Sequence, residues 1–258
     1  MERFILLVLL LLAPRPVDAG STPNLTGIAY EQRNGAALPL NAALRDDDGQ
    51  IVRLGGILHG RPLVLTLGYF RCASLCSVVR ANLLAALEQT NLVAGRDYSF
   101  AAVSIDPLET TQDASTIKAK ELAAHSVFEP GELHFLTGER DAVTNLAEAV
   151  GFKSRALQEN RFAHPLGVVL VSPSGIVSGY LLGITYPPDD LRLGLHRAAE
   201  GKIAPAESPL LLLCYDFDAA TGRYTFAIMK VLQLVSAATA AIALAALARV
   251  ALGERFRQ

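Results

Sequence analysis

The sequence predicts an α/β domain: a mixed central sheet flanked by helices, with an N-terminal hairpin in front and one C-terminal transmembrane helix behind. Three observations predict it. From Leu63 to Val150, short apolar runs alternate with longer segments of helical period, the pattern of buried parallel strands joined by helical crossovers. Two further apolar runs, 167–172 and 176–182, face each other across Pro173-Ser174-Gly175, so an antiparallel pair closes the sheet. Val231 to Ala248 has eighteen residues without a charge. With Phe226 to Met229 ahead of it and Lys230 snorkelling to the interface, it reaches the roughly 20 residues that a bilayer core requires.

Composition narrows the function classes. The chain has 258 residues and a formal net charge of −2, so nothing in its charge suggests a nucleic-acid or other polyanionic partner. Three cysteines and no tryptophan exclude a disulfide-dense scaffold. The hydrophobic fraction of 51% is explained by the two ends of the chain.

Taken in order, residues 1–19 read as a secretory signal. Arg3 gives a basic start, Phe4 to Ala13 is apolar but too short to span, and Val17-Asp18-Ala19 ends in small residues, so cleavage is expected before Gly20. Residues 20–37 form a polar lead-in. Leu38 to Leu54 is a hairpin turning at Asp46-Asp47-Asp48-Gly49. Pro62 precedes the strand Leu63 to Leu67, and a helix follows to about Gln89 on an apolar face of Val78, Val79, Leu83, Leu84 and Leu87. Tyr98 to Ile105 is a strand stopped by Asp106-Pro107, and Gln112 to Ala124 is a helix. Leu133 to Leu136 is a strand, and Gly138-Glu139 opens a helix through Leu146 to Val150. After the late hairpin, Pro188-Asp189-Asp190 opens a last helix, Leu191 to Ala199, which Gly201 ends. The folded domain is therefore 38–203, followed by a connector at 204–225, the membrane helix at 226–250 and a tail at 251–258. Arg249, Arg255 and Arg257 place that tail in the cytoplasm and the domain outside, as the signal does independently.

Chemistry concentrates at Cys72 and Cys76, four apart where the strand at Leu63 gives way to a helix. On one helical face their Cα atoms would lie about 6 Å apart, and a helix start would lower the thiol pKa. Such a pair suits a disulfide, two-thiolate binding of Cu(I) or Zn(II), an inert bridge or two buried small hydrophobes. Tyr69 and Phe70 beside it would wall the site from water or pack in the core. Asp106 would orient a ligand or partner, or cap the turn before Pro107. Cys214 is a third thiol, either exchanging with the pair or structural. His59, His125, His134 and His196 read as surface residues.

The strand, the run Gly68-Tyr69-x-x-Cys72-x-x-x-Cys76 and the helix resemble the Sco/SenC family, and the similarity extends from about Leu38 to Gly201. It includes Ser104-Ile105-Asp106-Pro107 and His164 ahead of a late strand. The resemblance implies a thioredoxin-like fold and one copper ion, Cu(I) or Cu(II), bound by Cys72, Cys76 and His164. Family members usually carry Pro after each Cys, where this chain has Ala73 and Ser77, and Asp before the His, where it has Ala163. They usually anchor through an N-terminal helix rather than a C-terminal one. The expected function is delivery of copper to the CuA-type site of a cytochrome c oxidase subunit. The protein would be held in the bacterial inner membrane by one span, with the Cys domain periplasmic and the C-terminus cytoplasmic. Membrane lipid and a periplasmic copper donor or thiol reductant would be its other partners. The alternative is a membrane-tethered thiol–disulfide oxidoreductase that uses Cys72 and Cys76 as a redox pair to keep the recipient's cysteines reduced.

Overall fold

The computed structural model describes residues 27–72, 75–157 and 162–206, with isolated positions between 217 and 243. The expected signal segment, Cys214 and almost all of the expected membrane helix lie outside the described residues. Among the described residues, no helix is long and apolar enough to cross a membrane.

The N-terminal hairpin forms as expected from β2 (Ala43–Arg45) and β3 (Ile51–Arg53), after a two-residue strand β1 (Ala29–Tyr30). Asp46 closes the turn: its Oδ1 accepts the N–H groups of Asp48 (3.1 Å) and Gln50 (2.7 Å), and Gly49 takes the left-handed conformation with φ +83°. Leu54, expected in the returning strand, instead opens a five-residue helix, α1 (Leu54–Leu58). Turning there buries Leu54, Ile57 and Leu58, which one face of a strand could not do together.

Five strands make the central sheet, in the order β11-β10-β4-β5-β6. They are β4 (Leu63–Gly68), β5 (Ser99–Ser104), β6 (Leu133–Leu136), β10 (Gly167–Val171) and β11 (Val177–Leu182). β4, β5 and β6 run parallel, β10 pairs antiparallel with β4, and β11 pairs antiparallel with β10, so the sheet is mixed as expected. Because side chains alternate, Val64, Phe100, Phe135 and Leu170 enter one core while Leu63, Leu65, Leu136 and Val169 enter the other. The first core is covered by α2 (Leu75–Glu88), α3 (Thr111–Ala124) and α5 (Pro188–Ala199). The second is covered by α1, α4 (Arg140–Ala149) and the hairpin. In α2, Val79, Leu83, Leu84 and Leu87 are buried as expected, but Val78 is half exposed because it sits one residue round the helix from Val79.

Helix α3 begins with a reciprocal cap. Thr110 Oγ1 accepts the Asp113 N–H (3.3 Å), and Asp113 Oδ2 accepts the Thr110 N–H (2.7 Å). Thr110→Ala should cost about 1 kcal/mol, read as a shifted urea midpoint with an unchanged slope. Three antiparallel pairs escape the sequence reading: β1 with β7 (Phe152–Lys153), β8 (Arg155–Ala156) with β9 (Phe162–Ala163), and β12 (Phe217–Asp218) with β13 (Arg223–Tyr224). Two residues are too few to show a period.

This topology fixes where chemistry can gather. The parallel strands β4 and β5 deliver Gly68 and Ser104 to the same end of the sheet. β10 runs the opposite way, with Val169 beside Leu65 and Val171 beside Leu63, so its start lies at that end too. Cys72, Asp106 and His164, more than ninety residues apart at the extremes, are thus brought to one edge, outside the carboxyl ends of the parallel strands.

Candidate metal centre

Cys76 lies in the first turn of α2, with its sulfur 3.1 Å from His164 Nε2. The other ring nitrogen settles the tautomer. Nδ1 is 2.9 Å from the Pro165 carbonyl, which can only accept, so Nδ1 carries the proton and Nε2 presents a lone pair to the sulfur. Burial holds this imidazole below its ordinary pKa, against the upward pull of the Pro165 carbonyl and of the Cys72 charge. The ring is clamped on two sides: Phe152 stacks on it at 5.8 Å, and Tyr69 meets it edge-on at 5.8 Å.

Neither Cys72 nor Cys76 is in a disulfide, and the two thiols act on each other. The expectation that a helix start would lower the thiol pKa fails for Cys76, which is pushed up instead. The hydrogen bond with Cys72 is the largest cause, then burial, then the charge of Cys72; Arg80 opposes them. Cys72 itself precedes the described start of α2, so the pair does not share a helical face. The Tyr69 hydroxyl hydrogen-bonds to the Cys72 sulfur, and burial together with that bond raises the phenol pKa.

The loop that carries Cys72 is held by a residue the sequence reading missed. Glu109, whose side chain is fully buried, accepts the Phe70 N–H at Oε2 (2.7 Å), the Arg71 N–H at Oε1 and the Ser104 hydroxyl at Oε2 (2.6 Å). Arg71 also reaches Asp106, with Nη2 3.1 Å from Oδ2. Asp106 Oδ1 accepts the Leu108 N–H at 2.9 Å. Asp106 therefore takes the turn-capping role of the two expected of it, and it holds Arg71 as well. Tyr69 walls the site as expected, whereas Phe70 points into the core against Phe135, ring centroids 5.7 Å apart.

The SCO1/SenC family model matches residues 39–199. The chain belongs to the SCO1/SenC family. No curated protein matches it in sequence. Among solved structures, a protein of Aquifex aeolicus is similar at 23% identity and TM-score 0.58, covering 65% of this chain and 95% of its own. A SCO1/SenC family lipoprotein of Bacillus anthracis is similar at 17% identity and TM-score 0.56, covering 65% of this chain and 98% of its own. Arabidopsis thaliana ScoI, solved with copper bound, is similar at 21% identity and TM-score 0.52, with coverage of 65% and 98%. These likenesses give the SCO1/SenC chain the thioredoxin-like fold expected of it.

Within this SCO1/SenC frame, the donor types at the site fit a soft metal ion: two thiols and a neutral imidazole with its lone pair turned inward. Among the described residues, no group of three or more His, Cys, Asp or Glu side chains stands preassembled to hold a metal. A sulfur and a nitrogen sharing a tetrahedral ion, with bonds of about 2.3 and 2.0 Å, lie about 3.5 Å apart, whereas Cys76 and His164 are at hydrogen-bonding distance, 3.1 Å. Protons bridge the donors here, and ligation needs a parting of a few tenths of an ångström. Ala163, where the family usually has Asp, lies in β9, so the aromatic clamp and the Pro165 carbonyl orient His164 here. The remaining histidines depart from the surface reading in two cases. His125 is buried with Nδ1 3.2 Å from Glu88, and His134 is half-buried, its pKa lowered by burial and then by Lys118.

Proposed function

We propose that the chain is a membrane-anchored copper-binding protein that carries the ion on Cys72, Cys76 and His164 and delivers it to the CuA-type site of a cytochrome c oxidase. The observation that carries this reading is the His164 tautomer: with Nδ1 committed to Pro165, Nε2 offers its lone pair beside a pair of thiols. Two thiolates and an imidazole suit Cu(I), and membership in the SCO1/SenC family agrees with copper as the cargo. Cys76 and His164 keep part of their surface exposed, so a recipient's thiolates could reach the ion and exchange ligands one at a time. The proposed arrangement is a signal at 1–19, the lead-in at 20–37, the Sco domain at 38–203, a connector at 204–225, one span at 226–250 and a cytoplasmic tail at 251–258. That would hold the domain on the periplasmic face of the bacterial inner membrane. Sharing a membrane with the oxidase subunit raises the effective concentration of the two sites. A periplasmic copper donor or thiol reductant would supply the site.

One observation favours a second reading. The Cys72 and Cys76 thiols are neighbours that act on each other, as the redox pair of a thiol–disulfide oxidoreductase must. Three residues separate the cysteines, however, where the common redox motif has two. His164→Ala separates the readings. The full chain, reduced and in detergent under anaerobic competition with a calibrated Cu(I) chelator, should bind one tight equivalent, and the variant should bind at least ~10-fold more weakly while still exchanging disulfides. Unchanged Cu(I) affinity in the variant would sink the three-donor reading.

A further inference from the structure

Arg80 lies one turn beyond Cys76 on α2, on the face that packs into the domain. It is about 6% exposed. Its Nε donates to Glu121 Oε1 on α3 at 2.7 Å, and its guanidinium carbon lies 5.9 Å from the centroid of the Phe135 ring. Among the described residues, its Nη2 finds no hydrogen-bond partner. Arg80, Cys76 and His164 all line one cavity of ≈ 30 Å³, together with Tyr69, Pro165 and Leu166. Stability alone does not explain this arrangement. Apolar residues of similar volume commonly replace a buried ion pair without loss, and an unmatched buried N–H is a cost. Of this ion pair, Arg80 lines the cavity beside Cys76 and His164, and Glu121 does not.

We propose that Arg80 is a positioning residue of the copper site that makes it select Cu(I) over Cu(II). The inference rests on the copper-binding reading above and deepens it by naming the oxidation state carried. Two thiolates and a neutral imidazole around Cu(I) leave a net charge of −1, whereas the same donors around Cu(II) leave zero. A fixed guanidinium one turn away, shielded from water, stabilises the anionic complex and is indifferent to the neutral one. Glu121 holds the guanidinium in place through Nε and offsets part of its field. The N–H donors of Nη2 stay unpaired among the described residues.

The test uses the full chain in detergent. Arg80→Gln combined with Glu121→Gln removes both charges and keeps an amide-to-amide hydrogen bond, so no charge is stranded in the core. Cu(I) affinity is read by anaerobic chelator competition. Cu(II) affinity is read by titration, following thiolate-to-copper absorption. The double variant should lose about 10-fold in Cu(I) affinity, an effective-dielectric estimate, with Cu(II) affinity changed less than about twofold. Arg80→Lys, which keeps the charge, should recover most of the Cu(I) affinity. Equal losses for both ions, no loss for either, or an Arg80→Lys protein as weak as the double variant would overturn the role of Arg80 while leaving copper binding intact. A wild-type chain that binds neither ion would overturn the copper-binding reading, and this inference with it.

Discussion

Cys76→Ser is expected to reduce Cu(I) affinity by more than about 100-fold and to leave the fold intact. Substituting residues that merely orient a metal's ligands typically costs 10–100-fold in affinity, and a ligand contributes more than its support. The hydroxyl of serine is a hard donor that stays protonated at neutral pH, so the site would keep one sulfur and one nitrogen. Cys76 is only partly buried and lies in the first turn of α2, where serine is tolerated, so its replacement leaves no large cavity. Far-UV circular dichroism should be unchanged while one copper equivalent is lost to the chelator. Retention of affinity within tenfold of wild type would mean that Cys76 is not a ligand.

Glu109→Ala should destabilise the domain by about 3 kcal/mol. The carboxylate is completely enclosed and accepts the Phe70 N–H, the Arg71 N–H and the Ser104 hydroxyl. Each buried donor left without an acceptor costs about 1–3 kcal/mol. The Arg71 backbone stands near solvent and can recruit water; the Phe70 N–H and Ser104 hydroxyl cannot. Glu109→Gln keeps one acceptor oxygen but turns an NH₂ toward those donors, so it should cost roughly half as much. Urea denaturation at pH 7 reads both. The same loop carries Cys72, so Cu(I) affinity should fall with stability. A loss below 1 kcal/mol in Glu109→Ala would show that the loop is held by its backbone alone.

The sheet was legible because burial on both faces writes itself into composition. Leu63 to Leu67, Tyr98 to Ile105 and Leu133 to Leu136 are apolar runs bounded by Pro or polar turns, and each became a strand within a residue or two. The late hairpin was legible from Pro173-Ser174-Gly175. The strands β1, β7, β8 and β9 were not, since two residues carry no period, and tertiary contact decides their pairing. Leu54 was misplaced because an apolar residue after Ile51-Val52-Arg53 fits a strand and a helix start equally well.

At the site, Cys72 and Cys76 were visible from their spacing, and His164 only through the family resemblance. The structure supplies what spacing could not: β10 runs antiparallel to β4, and that direction places His164 beside Cys76. Glu109 and Arg80 were missed for different reasons. Glu109 sits three residues after Asp106 in a polar turn, where a carboxylate is expected to face water. Arg80 did leave a signal, a charge four residues after Cys76 on a helix whose other inward positions are apolar. The partner that lets it stay buried, Glu121, is forty-one residues away.

X-ray absorption at the copper edge on the Cu(I)-loaded full chain reads the ligand set itself. One copper with two sulfur donors and one nitrogen donor is expected, the nitrogen lost in His164→Ala and one sulfur lost in Cys76→Ser. A shell of oxygen and nitrogen alone, or two sulfurs with no nitrogen in the wild-type protein, would contradict it.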